Sequence, residues 1–156
     1  MKTFEIKHRW TEEVIFKLEC ESFKICVEAA IEAQADLSGS DLSYSDLSGS
    51  DLRGSDLSGS DLRGSDLRGS DLRGSNLSGS DGEKIKIEKT PVQILGLRWD
   101  ILIFDAHMKI GCEFHKISEW QGFDNDKIER MDGNALSFWE INKASLLAIC
   151  AANERH

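Results

Sequence analysis

Apolar residues are sparse and evenly spaced through the middle of the chain. From Ala35 the sequence reads ADLSG, SDLSY, SDLSG, SDLRG, SDLSG, SDLRG, SDLRG, SDLRG, SNLSG, nine consecutive five-residue units ending at Gly79. The only large apolar residue that recurs is leucine, at Leu37, Leu42, Leu47, Leu52, Leu57, Leu62, Leu67, Leu72 and Leu77. A period of five matches neither the 3.6-residue helix nor the two-residue strand. It fits a coil with four short sides, one unit per side. Leucine then supplies the core, the serine that opens each unit packs beside it, and Asp, Ser or Arg, and Gly face solvent. Glycine tolerates the backbone conformation that a corner needs.

This pattern resembles the pentapeptide-repeat family, in which a small residue, Asp or Asn, and Leu or Phe precede two variable positions. The resemblance covers 45 of 156 residues. It implies a right-handed quadrilateral β-helix with about twenty residues per coil. Nine units then make about two coils, on the order of 11 Å tall at the ordinary strand spacing. Residues twenty apart share a column, so Leu37, Leu57 and Leu77 stack, as do Asp36, Asp56 and Asn76. The family commonly places Ala at the small inward position, whereas eight of these nine units have Ser. A buried hydroxyl needs a partner, either a backbone carbonyl or the next serine in the stack. Stacked carboxylates repel unless local backbone N–H groups or nearby Arg offset them. Arg53 and Arg73 share one column, and Arg63 and Arg68 sit on two others.

The flanks follow other periods. Thr3 to Arg9 and Val14 to Glu19 alternate as a hairpin around Trp10-Thr11-Glu12. Ser22 caps a helix over about Phe23 to Gln34, whose apolar side would cover the open end of the coil. Beyond the repeat, Asp81-Gly82 marks a turn, Lys84 to Glu88 alternates as a strand, and Thr90-Pro91 interrupts it. Val92 to Phe104 is apolar and β-prone, and Asp105-Ala106-His107 turns into a strand from Lys109 to Phe114. Ser118 with Gln121 forms a capping box for a short helix. Asp126 with Glu129 opens a longer helical stretch, which Gly133 and Asn142 weaken. The expectation is a mainly β chain with three parts: an N-terminal hairpin-helix cap (1–34), the repeat β-helix (35–80) and a C-terminal α+β cap (81–156). Trp99, Phe104, Trp120, Phe123, Phe138 and Trp139 are assigned to the core of that second cap.

Charge narrows the functional classes. The formal net charge is −9, which argues against a neutralising basic face for nucleic acid. No apolar run reaches a membrane span, and Met1-Lys2-Thr3-Phe4-Glu5 has no signal-peptide core, so a cytoplasmic protein is expected. Cys20, Cys26, Cys112 and Cys150 form no disulfide framework, and reduced thiols are the default. The one metal-like constellation is His107, Cys112 and His115, with Cys150 as a fourth group in space. The spacing matches no established finger, so a buried Cys and two surface or hydrogen-bonded His residues are the favoured reading. A filled coil has no internal cleft, so no catalytic residue and no cofactor are assigned.

The reading favoured by these features is a non-enzymatic scaffold or protein-interaction module. Its candidate acidic surface is formed by Asp36, Asp41, Asp46, Asp51, Asp56, Asp61, Asp66 and Asp71. The partner class is a protein, with a homodimer through the C-terminal cap as one arrangement, and neither nucleic acid nor membrane is contacted directly. The alternative is an acidic DNA mimic acting on an enzyme such as gyrase, as the resemblance implies for some family members. Length opposes it, because a turn of duplex spans about 34 Å.

Overall fold

The computed structural model describes residues 1–78 and 82–156. Gly79, which ends the ninth unit, and Asp81, of the Asp81-Gly82 turn, lie outside the described residues. The repeat is β-helix-like. Parallel bridges join Asp41 to Asp61, Asp46 to Asp66, Asp51 to Asp71 and Asp56 to Asn76, so each coil takes twenty residues. The leucine N–H of one coil donates to the carbonyl nineteen residues ahead, as from Leu42 to Asp61 (2.9 Å) and from Leu57 to Asn76 (2.9 Å). Every repeat leucine is buried, with none more than 4% exposed. The hydroxyls of the unit-opening serines Ser45, Ser50, Ser55, Ser60, Ser65, Ser70 and Ser75 donate to the leucine carbonyl three residues earlier, at 2.6–2.8 Å. That local bond resolves the cost of a buried hydroxyl, and no serine stack is needed. Ser40 is the exception: its buried Oγ has no partner among the described residues.

The coils meet through single-residue bridges, not continuous strands, and helices hold more residues than regular strands do. The mainly β expectation therefore gives way to a mixed α and β chain. Among the described residues the regular strands form three small sheets, with two, two and four strands.

At the first end, strands β1 (Lys2–Lys7) and β2 (Val14–Cys20) pair antiparallel, and helix α1 (Phe23–Glu32) follows. Ser22 caps α1 by accepting from the Ile25 N–H. The helix ends two residues short of Gln34, which adopts a positive φ of 56°. Cys26, Val27 and Ala30 of α1 join Ile6 and the repeat leucines in one core. The hairpin also continues the coil, since His8 bridges Ser40 and the Lys7 carbonyl accepts from Asp41 N–H at 2.7 Å. Two side chains of α1 complete this edge. Glu28 accepts from Asp51 N–H (2.9 Å), and Lys24 donates to the Ser48 carbonyl (2.8 Å).

At the other end the chain reverses. Strand β3 (Asn76–Ser78) pairs antiparallel with β4 (Lys84–Lys86), which buries Ile85; Ile87, just beyond β4, is also buried. The apolar run Val92 to Phe104 is not one strand. It breaks into β5 (Val92–Ile94) and β6 (Ile101–Ile103), separated by a bend at Gly96, where φ is 84°. The run Lys109 to Phe114 likewise splits between β7 (His107–Ile110) and β8 (Glu113–Lys116), around Gly111 at φ 59°. A single left-handed glycine in each apolar run makes a hairpin possible where composition alone reads as one strand. The sheet order is β5-β6-β7-β8, antiparallel throughout.

Helices α2 (Ile117–Gly122), α3 (Asn125–Glu129) and α4 (Ala135–Ala152) cover one face of this sheet. The start of α2 is fixed by Glu119, which accepts from Lys116 N–H at 2.9 Å, and not by Ser118 with Gln121. Asp124, not Asp126, caps α3 through Lys127 N–H at 2.8 Å. The expected long helix is broken at Asp132 to Asn134, whereas Asn142 is accommodated inside α4 by donating to the Phe138 carbonyl. Ile101, Ile103, Met108 and Ile110 face the helices and pack with Trp120, Phe138 and Trp139. Leu102, Phe104 and Phe114 belong to the core shared with the repeat. Phe104 is thus not part of the cap's own core: strand alternation turns it toward the leucine column. Trp99 and Phe123 are partly buried at the margin of the cap core.

The sheet also completes the last coil. Gln93 on β5 lies beneath the unit of Leu67. Its Oε1 accepts from Leu67 N–H and its Nε2 donates to the Ser65 carbonyl, both at 2.7 Å. One amide side chain thereby supplies the donor and acceptor that a further coil would supply.

Candidate functional site

Each repeat aspartate first serves its own turn. The Oδ1 of Asp36, Asp41, Asp46, Asp51, Asp56, Asp61, Asp66 and Asp71 accepts the N–H two residues ahead at 2.9–3.2 Å. This local turn is what Asp and Asn favour. Where the next variable position is Arg, the same carboxylate also holds its guanidinium. The pairs are Arg53 with Asp51, Arg63 with Asp61, Arg68 with Asp66 and Arg73 with Asp71, each at 2.5 Å. Arg53 reaches down one coil as well, to 3.8 Å from Asp71.

In Asp36, Asp46, Asp51, Asp56, Asp61, Asp66 and Asp71 these bonds lower the carboxyl pKa. Hydrogen bonds from Arg73 hold Asp71 down at about 2. Arg53 and Arg68 act the same way on Asp51 and Asp66, and Ser38 and Ser48 on Asp36 and Asp46. Burial pushes Asp56 and Asp61 upward, and their partners outweigh it: Lys84 and Ser58 for Asp56, Arg63 for Asp61.

The eight aspartates do not form one surface. Asp36, Asp41, Asp46 and Asp51 of the first coil are exposed, whereas Asp56, Asp66 and Asp71 are half-buried. Asp61 is only 5% exposed, which corrects the solvent-facing assignment. Arg9 from the N-terminal hairpin lies 3.8 Å from it and Arg63 closes over its other side, so tertiary packing encloses what the repeat alone would expose.

The repeat face carries one side chain that its sequence rule does not supply. Tyr44 stands where the other described units have Gly. It takes the same left-handed backbone, φ 53°, and is 80% exposed. Its ring lies against Gly64, where an added Cβ would come within 2.5 Å of the ring carbon. The signal was present in the sequence as the single break in the glycine column.

The metal candidates are scattered. His107 is on β7, where its ring meets Phe114 edge-on at 5.8 Å. His115 is on β8, with Nε2 2.8 Å from Glu113 and its ring edge-on to Trp120 and Phe123. Cys112 is an exposed thiol in the turn between those strands, and Cys150 is buried in α4. Among the described residues no group of three or more His, Cys, Asp or Glu is placed to hold a metal ion. Also among them, no helix is long and apolar enough to cross a membrane.

Comparison with known proteins agrees with the geometry in the middle of the chain. The family model for pentapeptide repeats matches residues 33–59 and 54–81, in eight copies. No curated protein and no solved structure matches the chain. The leucine-filled coils and the aspartate-capped turns lie within the matched residues, and the chain therefore carries a segment of pentapeptide repeats.

Proposed function

We propose that this chain is a non-enzymatic protein-interaction module, with its repeat (35–80) acting as a right-handed quadrilateral spine between an N-terminal cap (1–34) and a C-terminal cap (81–156). Pentapeptide repeats in general serve as structural or interaction modules, and a coil filled with leucine leaves no interior cleft for chemistry.

Tyr44 carries the reading. A non-glycine residue in the left-handed region costs on the order of 1 kcal/mol. The chain retains that cost to hold an aromatic ring in solvent, seated against Gly64. A fixed aromatic is the residue type that anchors protein interfaces, because little side-chain entropy is lost on binding. Asp41 and Asp46, on either side of it in the sequence, are exposed and accept only local bonds. The partner that fits is a protein with an apolar slot for the ring and basic groups on its rim. The DNA-mimic alternative fits less well. Four of the eight repeat carboxylates are held by Arg of their own units and Asp56 is held by Lys84, which interrupts the anionic rows a duplex mimic needs.

The test uses Tyr44→Gly, which restores the repeat rule and should leave the melting temperature unchanged or higher. Partners crosslinked to the parent protein in its source cell should be lost by at least tenfold with this variant. Equal recovery of the same partners by both proteins would refute the assignment.

A further inference from the structure

A lysine sits on the sheet face that meets the repeat. Lys109 on β7 is flanked across the sheet by Leu102 and Phe114, both buried in the repeat's core. Its ammonium has no hydrogen-bond or ion-pair partner among the described residues. Lys109 is half-buried, and leaving its charge there without a partner is costly. Two further cations converge there from other parts of the chain. Arg9, from the hairpin turn, shares one cavity wall with Lys109, Arg63, from the repeat, shares another, and both guanidinium groups reach Asp61. The only carboxylate among the groups acting on Lys109 is Asp61, already engaged by Arg63 and approached by Arg9. With Arg98 and Asp100 of the adjoining wall, four cations face two carboxylates, which leaves two positive charges in excess inside a protein of net charge −9.

The space beside these groups is open. The walls of a cavity of about 180 Å³ include Arg9, Lys109 and Cys112, and those of a second of about 380 Å³ include Arg63, Arg98, Asp100, Lys109 and Cys112. Lys109 and Cys112 belong to both. We propose that Lys109, with Arg9 and Arg63, forms a binding site for a small tetrahedral oxyanion, phosphate or sulfate, free or as the terminal group of a larger ligand. Such an ion supplies the acceptors that Lys109 lacks and offsets the surplus charge. Burial, reinforced by the neighbouring Arg9 and Arg63 and opposed by Asp61, holds the Lys109 pKa below the ordinary lysine range. A bound anion would raise it again. The site needs residues from the hairpin, the repeat and the C-terminal sheet, so it exists only in the assembled chain, and it does not depend on a partner at Tyr44.

Cys112 is an exposed thiol in the wall of both cavities, whereas the other three cysteines are buried. Its alkylation rate therefore reports occupancy. Inorganic phosphate should slow alkylation of the intact protein in a saturable way, by about tenfold at ten times the dissociation constant. Chloride at matched ionic strength should not. Lys109→Met removes the ammonium, keeps the apolar stem and should abolish protection. Arg9→Gln should weaken it. Phenyl phosphate and inorganic phosphate compared at equal concentration distinguish the sources: tighter protection by the ester points to a larger phosphorylated ligand, and equal protection to the free ion. No saturable protection by either compound, or the same protection in Lys109→Met, would overturn the proposal.

Discussion

Gln93 gives the most direct test of how the spine is closed. Its amide makes two bonds to the last coil, from Leu67 N–H and to the Ser65 carbonyl, both partly buried. Gln93→Ala removes both. At roughly 1 kcal/mol of net stability per neutral bond, the loss should be about 2 kcal/mol. For a chain of this size that corresponds to a fall of about 4–8 °C in melting temperature. Gln93→Glu separates the two bonds. A carboxylate still accepts from Leu67 N–H but cannot donate to Ser65, and it sets negative charge against a carbonyl oxygen. Its folded pKa should therefore lie above the ordinary glutamate value of about 4.3. A raised folded pKa gives stability that is present at low pH and lost as pH rises through that value. The gap between Gln93→Glu and the parent should then be large at pH 7 and should narrow below about pH 5, where the protonated carboxyl can donate as the amide does. Urea melts of the three proteins across that range measure all of this. A Gln93→Ala variant within about 0.5 kcal/mol of the parent would show that water replaces the amide without cost, and the closure argument would fail.

Two further outcomes bear on the repeat itself. Leu57→Asp or Leu62→Asp should prevent folding, while Leu57→Ala should cost about 2–5 kcal/mol; a folded Asp variant by circular dichroism and a cooperative melt would contradict the inward register. The aspartates with lowered pKa values (Asp36, Asp46, Asp51, Asp56, Asp61, Asp66 and Asp71) contribute stability present above the unfolded carboxyl pKa of about 3.9. That stability should be lost as pH falls below about 4 toward the Asp71 value of about 2, and a melting temperature flat down to pH 2.5 would refute it.

The repeat was legible because each unit contains a single large apolar residue, so only one register buries a core. The hairpin and α1 were legible for related reasons, strand alternation and a serine cap. The C-terminal half was harder, because Val92 to Phe104 and Lys109 to Phe114 are apolar enough to read as continuous strands. What divides them is the positive φ at Gly96 and Gly111, a conformational fact that composition does not carry. Asp61 departs from the solvent-facing pattern because Arg9, fifty-two positions earlier and linked to it by no local pattern, joins Arg63 in enclosing it. Gln93 and Glu28 had no signature, since a side chain standing in for a strand looks like any polar residue in sequence. Tyr44 was visible as the break in the glycine column, but its exposure and its contact with Gly64 required coordinates.

The two side chains that complete the end coils do so at fixed places around the coil, Glu28 at Asp51 and Gln93 at Leu67. A coil returns to the same column only after twenty residues. A gene that gains or loses one five-residue unit by slippage therefore turns one terminus a quarter-revolution relative to the other. Each end keeps its own coil contact through that rotation, but Arg9 of the hairpin and Lys109 of the C-terminal sheet, which share one cavity wall, face the same side again only when a whole coil is gained or lost. The DNA encoding this tract can slip in single units, but only steps of four keep the facing of the two ends.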